Sequence, residues 1–108
     1  MAEVILEGSR IVDWSSFHRQ SVRVLGFPDF YGENMDAWID CLSYLDEGDG
    51  MSNVVLRGPE RLHITVMDSE VWAAVAPEVF RDFLESVAFV NQRYRERGQT
   101  PRVSLVLV

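Results

Sequence analysis

A chain of 108 residues with 47% hydrophobic side chains and a formal charge of −7 can close one hydrophobic core and is too apolar to stay disordered. That acidity excludes nucleic acid and anionic membrane surfaces as partners, because both select a basic footprint, and favours fast association with a cationic protein. The single cysteine, Cys41, excludes an intrachain disulfide and a thiolate metal cluster.

The N-terminal run MAEVILEGSRI has neither a basic region nor a long apolar core, so it does not read as a signal peptide. No apolar stretch has the length of a membrane span. The expectation is one cytoplasmic domain over residues 1–108, with no membrane contact and no cofactor. All ten basic residues are arginine, which carries no mechanism by itself.

Val4-Ile5-Leu6, closed by Glu7-Gly8, reads as a first strand. Ser15 or Ser16 is the candidate cap of a helix carrying Phe17, Val22, Val24 and Leu25, stopped by Gly26 and Pro28. Asn34 is placed to cap a second helix running to about Asp46. Residues 48–61 form a connection, with a short edge strand as a candidate at Asn53–Leu56. Leu62–Met67 alternates apolar residues with His63 and Thr65 and reads as a strand. Ser69–Ala76 is a brief helix, and Pro77 suits the first turn of a long one reaching Arg97. Val79, Phe80, Phe83, Leu84, Val87 and Val90 give that helix its core stripe, and Gly98 ends it. Val103–Val108 is almost wholly apolar, as a strand buried on both faces would be. The order β–α–α–β–α–α–β predicts an α/β fold, a small parallel sheet packed with helices.

The second helix holds the most chemistry. From Val24 to Leu56 there is no basic residue, while Asp29, Glu33, Asp36, Asp40, Asp46, Glu47 and Asp49 all fall inside. At about 100° per residue, Asp40, Ser43 and Tyr44 lie on the same side as Asp36, with Ile39 at the shoulder. Met35, Trp38, Cys41, Leu42 and Leu45 form the opposite, core-facing side. A carboxylate at Asp36 also suits the positive end of the helix, which needs no partner to explain it. Asp40 has no such excuse: Asp is a weak helix former, and a second carboxylate on one face repels the first.

The run PDFYGENMDAWIDCL, with Tyr31, Gly32, Glu33, Asn34, Met35, Asp36 and Ala37 at its centre and Asp40 beyond, resembles the signature of the barstar family of intracellular ribonuclease inhibitors. Weaker similarity covers Val4–Leu25 and Leu62–Val108. The resemblance implies a three-stranded parallel sheet with helices. It also implies a one-to-one complex in which the second helix and its preceding loop plug a basic ribonuclease. Asp40 would then stand in the place of a substrate phosphate, and Asp36 would meet an arginine near the cleft mouth. Phe30, Asn34, Ile39, Ser43 and Tyr44 fall at the family's other contact positions.

The chain departs from that pattern at the shoulders of the site. Phe30 stands where the best-known member has Tyr, Ile39 replaces a Trp, and Tyr44-Leu45 replaces Gly-Trp. Residues 48–61 read as an insertion, and the family's acidic contact on the last helix aligns with Arg93. These changes imply a different cognate nuclease, or a basic partner that is not a nuclease. Other signals are weak. Asp36 and Asp40 alone are a poor metal site. His18 and His63 lie in no nucleophile motif, so an enzyme is not expected. Cys41 faces the core, and Trp14 and Trp72 read as packing residues.

Overall fold

The computed structural model describes residues 2–108. Three strands, β1 (Ala2–Glu7), β2 (Leu62–Met67) and β3 (Val103–Leu107), form a parallel sheet in the order β1-β2-β3. Four helices connect them: α1 (Trp14–Leu25), α2 (Met35–Leu42), α3 (Ser69–Val75) and α4 (Pro77–Glu96). The expected α/β architecture is therefore present, with a short 3₁₀ turn at Gly8–Arg10 leading out of β1.

Register explains which side of the sheet is covered. Val4, Ile64 and Leu105 lie opposite one another, as do Leu6, Val66 and Leu107. Leu62, Ile64 and Val66 of the central strand are completely buried beneath the helices. The alternate residues, with Ile5, Thr65 and Val106 in one row, point to the other face, where Ile5 and Val106 are about half exposed. This corrects the reading of the last strand as buried on both sides. β3 is an edge strand, and Val106, Leu107 and Val108 are all exposed. The edge at β1 is blocked differently: the buried Gln20 amide donates to the Glu7 carbonyl and accepts from its N–H, both at 2.9 Å. That is the pairing another strand would make.

α1 is capped by Asp13, not by Ser15 or Ser16. Asp13 Oδ1 accepts from the Ser16 N–H at 2.8 Å, and Ser16 Oγ accepts in return from the Asp13 N–H. The serine occupies the third helical position of a capping box, a role usually filled by Glu or Gln. Gly26 ends the helix at φ 67°, donating to the Val22 carbonyl. The candidate edge strand at Asn53–Leu56 is not in the sheet. Its backbone is spent elsewhere: Asn53 N–H bonds the Leu25 carbonyl, and Leu56 N–H bonds the Leu45 carbonyl. The segment clips the end of α1 to the chain after α2, and Leu56 is buried in doing so.

The core between helices and sheet centres on rings from four elements. Phe17 of α1, Trp38 of α2, Trp72 of α3 and Phe83 of α4 pack with centroid separations from 5.0 to 5.9 Å. Trp14, also read as a packing residue, remains partly exposed and stacks on His18. On α4 the buried positions Val79, Phe83, Val87, Val90 and Tyr94 recur every three or four residues, the period of one helix face. Phe80 and Leu84 are half-buried beside them.

Candidate functional site

The acidic region is built on a loop and a short helix, each tied to the core from beneath. In the loop, Phe27 is buried and its ring lies 4.7 Å from that of Tyr31. The Tyr31 hydroxyl shares a 2.7 Å hydrogen bond with His18 Nδ1. While the Phe27 and Tyr31 rings are held inward, Phe30 projects outward and is 77% exposed. Burial pushes the Tyr31 phenol well above its usual pKa and pulls His18 below its own, with the Glu33 charge partly opposing the latter. Both groups are thus neutral at pH 7 and can hydrogen-bond without a charge to solvate.

Glu33 turns the chain into α2 at φ 50°, a left-handed conformation that costs an L-residue about 1 kcal/mol. Asn34 follows as the cap. Its carbonyl oxygen accepts from the Ala37 N–H at 2.8 Å, and its amide donates to the Gly32 carbonyl. Asn34 therefore shapes the start of α2. Trp38, fully buried, anchors the underside and donates its indole N–H to Ser21 Oγ. Cys41 and Leu42 are buried beside it, as the helical spacing predicts. Burial pushes the Cys41 thiol up to about 11, so it is protonated and weakly nucleophilic at neutral pH.

Asp36 and Asp40 are both exposed, while Met35 and Ile39 are half-buried at the shoulder. Asp36 has no hydrogen-bond or ion-pair partner among the described residues. Asp40 does: Arg93 Nη1 of α4 lies 2.7 Å from its Oδ1. The same nitrogen donates to Ser43 Oγ at 3.2 Å. Among the described residues, no group of three or more His, Cys, Asp or Glu is arranged to hold a metal ion.

α2 stops at Leu42, short of the expected Asp46. Ser43 is its C-cap and is buried, with its hydroxyl donating to the Ile39 carbonyl at 2.6 Å. The helical wheel placed Ser43 outward; the turn after Leu42 takes it inward, under Arg93. Tyr44 stays at the surface, 37% exposed, with the Arg97 guanidinium 4.9 Å from its ring. Arg97 also donates to the Ser43 carbonyl at 2.7 Å. These two arginines supply positive charge to the negative end of α2, whose own last turn has none. The alignment of Arg93 with an acidic contact was the one signal pointing to the site.

Tyr94 completes the junction. Its buried hydroxyl donates to the Leu42 carbonyl at 2.7 Å and accepts from the Leu45 N–H at 2.9 Å. Burial pushes its pKa up to about 12, keeping that donor in place. Beside the junction, a groove of roughly 260 Å³ between α2 and α4 is lined by Met35, Ile39, Asp82, Glu85, Ser86 and Phe89.

The surface is thus an exposed aromatic, an exposed carboxylate pair and apolar shoulders on a braced helix. Over residues 1–106 the chain matches the family model described as Barstar (barnase inhibitor). The chain belongs to the barstar family. The match spans all four helices, β1, β2 and all but the last residue of β3, and the three-stranded parallel sheet is the one that the resemblance implied. Within this fold Phe30, Asp36, Asp40 and Tyr44 are exposed and Ile39 is half-buried, whereas Asn34 and Ser43 are engaged with the backbone. No helix among the described residues is long and apolar enough to cross a membrane.

Proposed function

We propose that this protein is a cytoplasmic inhibitor that binds a basic, barnase-type ribonuclease one-to-one and closes its active site with α2 and the loop before it. The observation that carries this reading is the pair Asp36 and Asp40, both exposed on a helix fixed from below by the buried Trp38, in a family described as barnase inhibitors. A ribonuclease holds a phosphate with cationic groups, and a carboxylate on a rigid helix can take that anion's place. Charge-assisted bonds to arginine are strong and directional. Phe30, Ile39 and Tyr44 surround the acids with apolar surface that excludes water from such pairs. Asn34 and Ser43 hold the two ends of the helix.

The test is titration into RNA-cleavage assays with barnase-type ribonucleases. Stoichiometric inhibition is expected. Asp40→Ala should weaken it by about 2 kcal/mol or more, the scale of a central contact, and Glu47→Ala by much less. Equal losses from the two variants would leave only general electrostatic attraction. Salt-sensitive binding of a basic protein without any effect on RNA cleavage would favour the second reading, an interaction module for a partner that is not a nuclease. The charge of Arg93 at a family contact position is the observation behind that alternative.

A further inference from the structure

The proposed anchor, Asp40, already has an arginine. Arg93 Nη1 sits 2.7 Å from Asp40 Oδ1, where a partner's guanidinium would otherwise approach. Its position is fixed from two more sides, by the 3.2 Å bond to Ser43 Oγ and by the Phe89 ring 5.4 Å beneath the guanidinium. Ser43 is in turn bonded to the Ile39 carbonyl, so the pair is registered to the backbone of α2. Arg93 keeps about a third of its side-chain surface, and Asp40 about 60%; both are open to an incoming protein.

From this geometry we infer that Arg93 is the specificity-determining residue of the surface: it competes internally for Asp40 and selects against partners that oppose it with cations alone. The inference rests on the reading of the α2 face as the binding surface. A guanidinium arriving at Asp40 either displaces Arg93 or shares the carboxylate with it. In both cases two like charges are brought together as water is excluded, and Arg93 loses part of its compensation. A partner that sets a neutral or acidic group opposite Arg93, and its arginine opposite Asp36, meets no such conflict. The partner face that fits therefore sets a neutral or acidic group opposite Arg93 beside the cationic groups that meet Asp36 and Asp40. The partnerless Asp36 is the site open to a cation without exchange.

The probe for a continuous cationic cluster is a hexa-arginine peptide, titrated calorimetrically at low salt into the intact protein. Arg93→Gln should bind it at least about fivefold more tightly than Arg95→Gln, which makes the same change of net charge at an exposed neighbouring position. In an Asp40→Asn background the two variants should become equal, because the competition has lost its object. Arg93→Met, whose stem still covers Phe89, repeats the comparison should the glutamine variant lose its fold by circular dichroism. No gain over Arg95→Gln, or a gain that survives the loss of Asp40, would overturn the inference. The peptide assay involves no nuclease, so a failure to inhibit RNA cleavage leaves its outcome standing, and the reverse also holds.

Discussion

Tyr94→Phe removes one oxygen from the junction between α4 and α2 and leaves everything else in place. The ring remains fully buried, so the apolar contribution is unchanged. What is lost is the acceptor for the Leu45 N–H and the donor to the Leu42 carbonyl. Both lie against a buried hydroxyl, and Leu42 and Leu45 are 0% and 2% exposed. Each orphaned backbone group costs about 1–3 kcal/mol. The carbonyl, with a second lone pair, should fall at the lower end, giving a total of about 2–4 kcal/mol. For a chain of this size that is a fall in Tm on the order of 10 °C. Urea denaturation with an unchanged m-value would assign the loss to the native state. Amide exchange should accelerate at Leu45 ahead of the central strand β2, because the junction opens locally before the sheet does. A loss below about 0.5 kcal/mol would refute the argument, since it would mean that water reaches both groups.

Two further outcomes follow from other parts of the fold. At Gly8 an added methyl would lie 2.5 Å from the Met67 carbonyl oxygen and 2.8 Å from that of Asp68, both backbone atoms, so Gly8→Ala should cost about 1–3 kcal/mol by displacing the end of β1 from β2; chemical denaturation checks this, and a neutral result would show that the 3₁₀ turn simply moves away. Burial lowers the folded-state pKa of His18 below its unfolded value, so the unfolded chain takes up the proton first as pH falls. The stability that neutral His18 contributes is complete above the unfolded pKa of about 6.5 and declines below it. Wild type should lose more stability between pH 7.5 and 5.5 than His18→Gln, and parallel pH–stability curves for the two would contradict the assignment.

The local rules written in the sequence were legible wherever one short-range cause dominated. Leu62–Met67 alternates apolar and less apolar residues, and β2 has those bounds. Gly26 and Pro77 marked a helix end and a helix start that the structure retains. The outward placement of Asp36 and Asp40 over Trp38, Cys41 and Leu42 followed from helical spacing alone. What could not be read depends on partners far along the chain. The early end of α2 involves Ser43 bonding back to Ile39 and two arginines some fifty residues later holding the turn. An apolar run such as Val103–Val108 reads the same in a central or an edge strand, and only the sheet order makes β3 an edge. Asn53–Leu56 has the composition of a strand, yet its backbone groups were already claimed by Leu25 and Leu45. Asp40 itself was legible; its pairing with Arg93 was not.

An eight-residue helix is too short to persist by its own hydrogen bonds, so the display of Asp36 and Asp40 depends on what holds α2 from outside. Asn34 satisfies its first turn, Trp38 pins its underside, and Tyr94 with Arg97 fixes its last carbonyls and the turn beyond. Such bracing lowers the ordering cost of binding, because the carboxylates need not be immobilised when a partner arrives. It also brings positive charge from α4 into an otherwise acidic region, and Arg93 falls directly against the central carboxylate. Rigidity and raw negative potential therefore oppose each other at this surface. The balance struck here favours a partner that matches a fixed pattern of alternating charge over one that is merely basic.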